Sequence, residues 1–175
     1  MKKLTIRDIT CGALFCALVC VGAFIKIPLP QLPVTMQMFF VLLAGLVLKP
    51  GVSVMAVGTY ILLGLLGLPV FANGGGIGYV FMPSFGYMIG FLIAVLAMSF
   101  LARRNVIIAT VAGIAIVYAV GIPYFWAITR FVLNTQITAE YILKFCLITM
   151  LPGDILSGIA AVMIGKRLKK TDIFS

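Results

Sequence analysis

Asp154, in the stretch LPGDILSG, is the residue of this chain best placed to do chemistry. The sequence holds four acids, Asp8, Glu140, Asp154 and Asp172, and no histidine. Asp8 and Asp172 stand near basic ends, where a charge needs no special account. Glu140 and Lys144 are four apart in the favourable order for a simple helix ion pair. Asp154 alone adjoins long apolar sequence, and an ionisable group in such a setting is a functional candidate by default. A second reading stands beside it: an aspartate in a first helical turn is favoured by the helix dipole and by free N–H groups.

The other candidate is a loop. ANGGGIGY, residues 72 to 79, interrupts two apolar runs with glycines and one asparagine. It lacks the Gly-Lys-Ser/Thr of a nucleotide-binding P-loop and the strand context of a dinucleotide fingerprint. Glycine permits close backbone approach, so Gly74, Gly75 and Gly76 are expected to present N–H and C=O groups to a ligand. Asn73 adds an amide that both donates and accepts. Together they suit a small polar ligand with amide-like edges; a flexible surface turn is the plainer alternative. Gln37 (with Thr35 beside it) and Tyr87 are further polar groups at apolar positions. Tyr87 and Trp126 read either as interfacial anchors or as ligand platforms.

The elements that must position these groups follow from composition. The chain has 175 residues, 63% hydrophobic and only 10% charged, where soluble domains carry roughly a quarter charged residues. A spanning helix needs about 20 apolar residues, and Pro, Gly or basic breaks divide the chain into such runs. An all-α integral membrane protein is expected, one domain over residues 1–175 with six transmembrane helices at 9–25, 34–48, 52–68, 85–101, 106–128 and 152–168. Pro123 is expected to bend the fifth. A short extra helix at 139–150 has Thr138 as N-cap, and Pro152 opens the last span at its first helical position. The basic start and apolar run resemble a signal peptide, but no A-x-A-like site follows, so a first span is expected.

Charge sets the orientation. Lys2, Lys3, Arg7, Lys49, Arg103, Arg104, Lys166, Arg167, Lys169 and Lys170 fall on one side of a six-span layout, and Lys26, Arg130 and Lys144 on the other. The positive-inside rule makes the first side cytoplasmic, both termini included. The net charge of +9 thus reports topology, and no nucleic-acid partner is expected. The Pro-rich segment 26–34, the glycine loop and the segment around 130–152 all face outward, with Gln37, Asn73, Tyr87 and Asp154 at their level. Loops confined to one face read as a receptor. A structural membrane protein leaves that asymmetry unexplained. An intramembrane enzyme needs paired acids, a metal cluster or an activated nucleophile; Cys11, Cys16, Cys20 and Cys146 lack metal-ligand spacing, and neither metal nor cofactor is expected. Ala13 and Ala17, after Gly12, have the small-xxx-small spacing that lets another helix approach.

IPLPQLPVTMQMFFVLLAGLVLKP, GLLGLPVFANGGGIGYVFMPSFGYMIGF and LPGDIL, in this order, resemble the BioY family, the biotin-capturing S components of energy-coupling-factor transporters of bacterial cell membranes. The resemblance covers most of the chain. It implies six helices around an outward-facing biotin site enclosed by the loop after helix 1, the glycine loop and helix 6. Asn73, the glycine backbone and Gln37 would meet the ureido ring, Asp154 carries over from the family motif, and Phe71, Tyr87 or Trp126 would cover the fused rings. Ala13 and Ala17 would contact a transmembrane coupling subunit, and two ATPase subunits would complete the importer. Many relatives read PGD-x-x-K, whereas Ser157 stands at that lysine here. Arg130, Lys144 and Lys26 are the remaining candidates for the ligand carboxylate, and a different vitamin is the alternative ligand.

Overall fold

A computed structural model describes residues 4–29, 32–135 and 137–169. Lys2, Lys3, Pro30, Lys170 and Asp172 lie outside the described residues. The first helix, α1 (Ile6–Phe24), opens on a capping box: Thr5 accepts from the Asp8 amide and the Asp8 carboxylate accepts from the Thr5 amide. Pro28 and Pro33 prevent the helix from resuming at once. Backbone groups on either side of them pair instead in a two-residue hairpin, β1 (Lys26–Ile27) against β2 (Val34–Thr35), with Lys26 opposite Thr35. The expected second span therefore begins later, as α2 (Gln37–Val47). Pro50 at the first helical position starts α3 (Pro50–Leu65) after an extended Leu48.

Beyond the glycine loop, a 3-10 turn (Ile77–Phe81) leads into α4 (Phe85–Leu101), and α5 (Val106–Ala127) begins where the Asn105 side chain caps two amides. Pro123 lies inside α5, which continues through a π turn at Ile128–Val132. The run from α6 (Ala139–Phe145) through a π turn at Cys146–Met150 into α7 (Leu151–Lys169) is likewise continuous. Here the structure departs from a short helix followed by a fresh start at Pro152. A proline ring collides with the carbonyl four residues back, and the wider π turn just before Pro152 relieves that collision without ending the helix.

The helix α2 is the axis of the bundle. It touches α1, α4, α5 and α7, and nearly every side chain on it is buried, as a helix apolar all round requires. The antiparallel pair α4 and α5 packs closely because Gly86 and Gly90 face Tyr124 and Val117 with no side chain between. Around this core the outward faces are also apolar: Ile9, Leu14, Leu62, Phe100, Ile107, Val111, Ile148 and Ile159 are exposed. Among the described residues, the helical runs Ile6–Phe24, Val106–Val132 and Glu140–Lys169 are long and apolar enough to cross a membrane, and α2, α3 and α4 are shorter apolar helices.

Candidate ligand-binding site

At the end of the bundle that carries the hairpin and the glycine loop, the elements leave a cavity. It encloses about 50 Å³ and is partly open to solvent. Polar groups enter it from separate elements: Thr35 from β2, Gln37 from α2, Tyr79 from the 3-10 turn, Ser84 and Tyr87 at the start of α4, and Asp154 from α7. Met38, Met88, Phe91, Val117 and Met150 make up the apolar wall. A concave, mostly apolar site with a few convergent polar groups is the usual form of a small-molecule pocket.

Each polar group is held by a neighbour. Gln37 is 4% exposed; its Nε2 donates to the Tyr60 hydroxyl at 2.6 Å, and its Oε1 accepts from Thr35 Oγ1 at 3.2 Å. Asp154 is 8% exposed, and the Tyr118 hydroxyl donates to its Oδ2 at 2.6 Å. The Tyr118 ring stands edge-on to Tyr87, whose hydroxyl lies 3.0 Å from Cys146 Sγ. Burial pushes the Tyr79 phenol above its ordinary range, so it remains a protonated donor, and it accepts from Ser84 Oγ at 3.2 Å. Such interlocked side chains arrive at a ligand with their rotamers already fixed, which lowers the ordering cost of binding.

The cavity brings together Gln37, Tyr87 and Asp154 of the residues expected from sequence. For Asp154 it also removes the alternative explanation. The Leu151 amide bonds back to the Cys146 carbonyl and the helix runs on without a new N-terminus, so this acid caps nothing. Gly74, Gly75 and Gly76 are not on the cavity wall. The Gly74 amide donates to the Phe71 carbonyl and the Gly76 amide to Gly64, so the glycines fold the loop onto the end of α3 rather than offering those amides outward. Asn73 is exposed on that loop, beside the wall residue Ala72. Phe71 is core, between Tyr60 and Tyr79, and Trp126 stacks edge-on with Phe131, so neither covers the cavity.

The three basic candidates separate sharply. Lys144 is exposed and ion-paired with Glu140 at 2.6 Å, and the Arg130 guanidinium lies over the Trp126 ring at 5.8 Å. The Lys26 Nζ reaches the cavity rim, donating to the Ala72 carbonyl and, at 3.3 Å, to Asn73 Oδ1. Ala13 and Ala17 are elsewhere, in an apolar groove between α1 and α3 that Cys16, Met55 and Leu63 also line. Sequence reasoning missed Tyr118 altogether. Its signal was a hydroxyl in the middle of an apolar helix, a group that requires a buried partner.

An apolar helical bundle with helices long enough to span a membrane, and a pocket of fixed hydrogen-bonding groups at one end, is the description of a membrane-type binding protein. The model of the BioY family matches residues 1–172, and the chain belongs to that family. It is 37% identical to a protein of Lysinibacillus sphaericus named "Probable biotin transporter BioY", over 97% of this chain and 90% of that one. The "Biotin transporter BioY" of Thermotoga maritima is 36% identical over 95% of this chain and 98% of its own. A crystal structure of the S-component for biotin from an ECF-type ABC transporter superposes with a TM-score of 0.83 at 27% identity, covering 94% of this chain and 92% of that one.

Proposed function

We propose that this chain is the biotin-binding membrane subunit of an energy-coupling-factor importer in a bacterial cell membrane. The observation that carries the reading is the convergence of Gln37, Tyr87 and Asp154 on one cavity in a chain of this family. Biotin's ureido ring offers two N–H donors and one carbonyl. A carboxylate accepting from those donors and an amide able to donate to the carbonyl complement it, while Met88, Phe91 and Val117 suit the thioether and ring carbons. Asn73 and the glycine loop close over the ligand from above. The chain crosses the membrane six times with both termini in the cytoplasm, on the support of ten basic residues on that side against three outside. Biotin enters from outside; the chain is no enzyme, and two ATPase subunits, acting through a transmembrane coupling subunit, supply the energy for release inside.

Calorimetric titration of the detergent-purified chain with biotin, with thiamine and riboflavin as controls, tests the ligand. Saturable one-to-one binding of biotin alone is the expected result. A different vitamin is the second reading, favoured by the half-buried Ser157 one turn beyond Asp154, where the family resemblance implies lysine; binding of a control in place of biotin would establish it.

Partner contact has its own test. The α1–α3 groove is apolar, and a small side chain at Ala13 and Ala17 leaves room for a facing helix. Ala13→Trp with Ala17→Trp is expected to leave biotin affinity within about twofold of wild type, because no residue lining the groove lines the cavity. Co-purification with the coupling subunit should be lost. Intact complexes from this double variant would remove the groove from the assembly interface.

A further inference from the structure

Lys26 occupies a place that the fold gives to no other described cation. It is the first residue of β1, its register partner Thr35 is a cavity-wall residue, and its ammonium donates to the carbonyl of Ala72, a second wall residue. It thus bridges the hairpin and the glycine loop at the cavity's rim. Its partners are two neutral oxygens, the Ala72 carbonyl and Asn73 Oδ1, and among the described residues it has no ion pair. Arg130 and Lys144, the other basic residues beyond this end of the bundle, are engaged with Trp126 and Glu140. A lysine bound only to neutral acceptors at the mouth of a pocket is a point charge awaiting an anion.

We infer that Lys26 is the group that binds the carboxylate of the ligand and, in doing so, fastens the hairpin to the glycine loop over the occupied cavity. The inference rests on the biotin reading above and adds to it the residue that selects for the acid. With the ureido ring at Asp154 and Gln37, the flexible valerate arm leads from the cavity floor towards the rim, where Lys26 waits. The ammonium has three protons, so it accepts the ligand carboxylate as a new partner while Asn73 or Ala72 keeps another. Ligand charge is then read by the same residue that ties the two loops, so that a neutral analogue fills the cavity without fastening it.

The experiment compares biotin with biotin methyl ester on the full chain in detergent. Wild type is expected to bind the acid about tenfold or more tightly than the ester, the range for a charge-assisted hydrogen bond that water partly reaches. Lys26→Met should bring the affinity for the acid down to that for the ester and change the ester's own affinity by less than about twofold. Lys26→Arg, which keeps the charge, should recover most of the preference. Equal binding of acid and ester by wild type overturns the inference without any variant. So does a Lys26→Met that weakens both ligands alike, the result of a purely structural bridge between the loops. A wild type that binds neither acid nor ester overturns the biotin reading itself, and this inference with it.

Discussion

Asp154→Asn is expected to weaken biotin binding by roughly 10- to 100-fold, the range for losing a hydrogen bond to a charged group. The substitution keeps the shape and leaves an oxygen for the Tyr118 hydroxyl, so the 2.6 Å contact survives. What goes is the charge and one acceptor, and the ureido donors then face an amide whose other edge also donates. Stability is expected to move the other way. A carboxylate only 8% exposed in an apolar bundle is costly to bury, and a neutral amide there relieves that cost. Melting in detergent should therefore occur at an unchanged or higher temperature while affinity falls. Tyr118→Phe separates the two roles of the tyrosine: Asp154 keeps its charge but loses the donor that orients it, and binding should drop by less than in Asp154→Asn. Should Asp154→Asn bind biotin like wild type, the acid is a structural charge and the polar contacts must be sought at Gln37 and Tyr87.

Much of this site could be read before the fold was known, because membrane composition makes polar residues conspicuous. Gln37 and Asp154 interrupt apolar runs, and both line the cavity. Their partners were hidden for a different reason. Tyr60 and Tyr118 hold them across 23 and 36 residues of sequence, and periodicity along one helix carries no information about which hydroxyl meets which amide. The basic residues show a related limit. Lys26, Arg130 and Lys144 fall on the same side of the expected six-span layout, so charge counting cannot distinguish them; what separates them is which groups each one meets. Pro152 misled in a more local way. Proline is an excellent helix opener, whereas here a π turn lets α6 run into α7. The segment around the glycine loop puts Ala72 and Tyr79 on the cavity wall, but its glycines answer to the loop's own packing.

That packing makes Gly75→Ala the most disruptive single-methyl change expected here. A Cβ at Gly75 would stand 2.1 Å from the Leu68 carbonyl oxygen and 3.0 Å from that of Gly64. Both are backbone atoms and cannot rotate aside, so the loop itself must leave the end of α3. The 2.7 Å bond from the Gly76 amide to the Gly64 carbonyl would break with it. From there the disturbance has a route to the pocket. Phe71, anchored by the loop, packs edge-on against Tyr60 with centroids 5.4 Å apart, and the Tyr60 hydroxyl holds Gln37. Ala72, on the cavity wall and in contact with Lys26, moves with the same segment. Forced overpacking costs about 1–3 kcal/mol, so a binding loss of roughly 10- to 100-fold is expected, together with a lower melting temperature. Gly64→Ala attacks the same joint from the other side, since its Cβ would fall 2.0 Å from the Phe71 ring, and the same phenotype should follow. Gly78→Ala is the control within the loop: no atom lies within 4 Å of its added methyl, and affinity should not change. If all three variants bind biotin like wild type, the loop is dispensable and the ligand is held by the helices alone. If Gly78→Ala fails with the others, the loop meets the ligand through its exposed backbone, and the glycines serve recognition as well as packing.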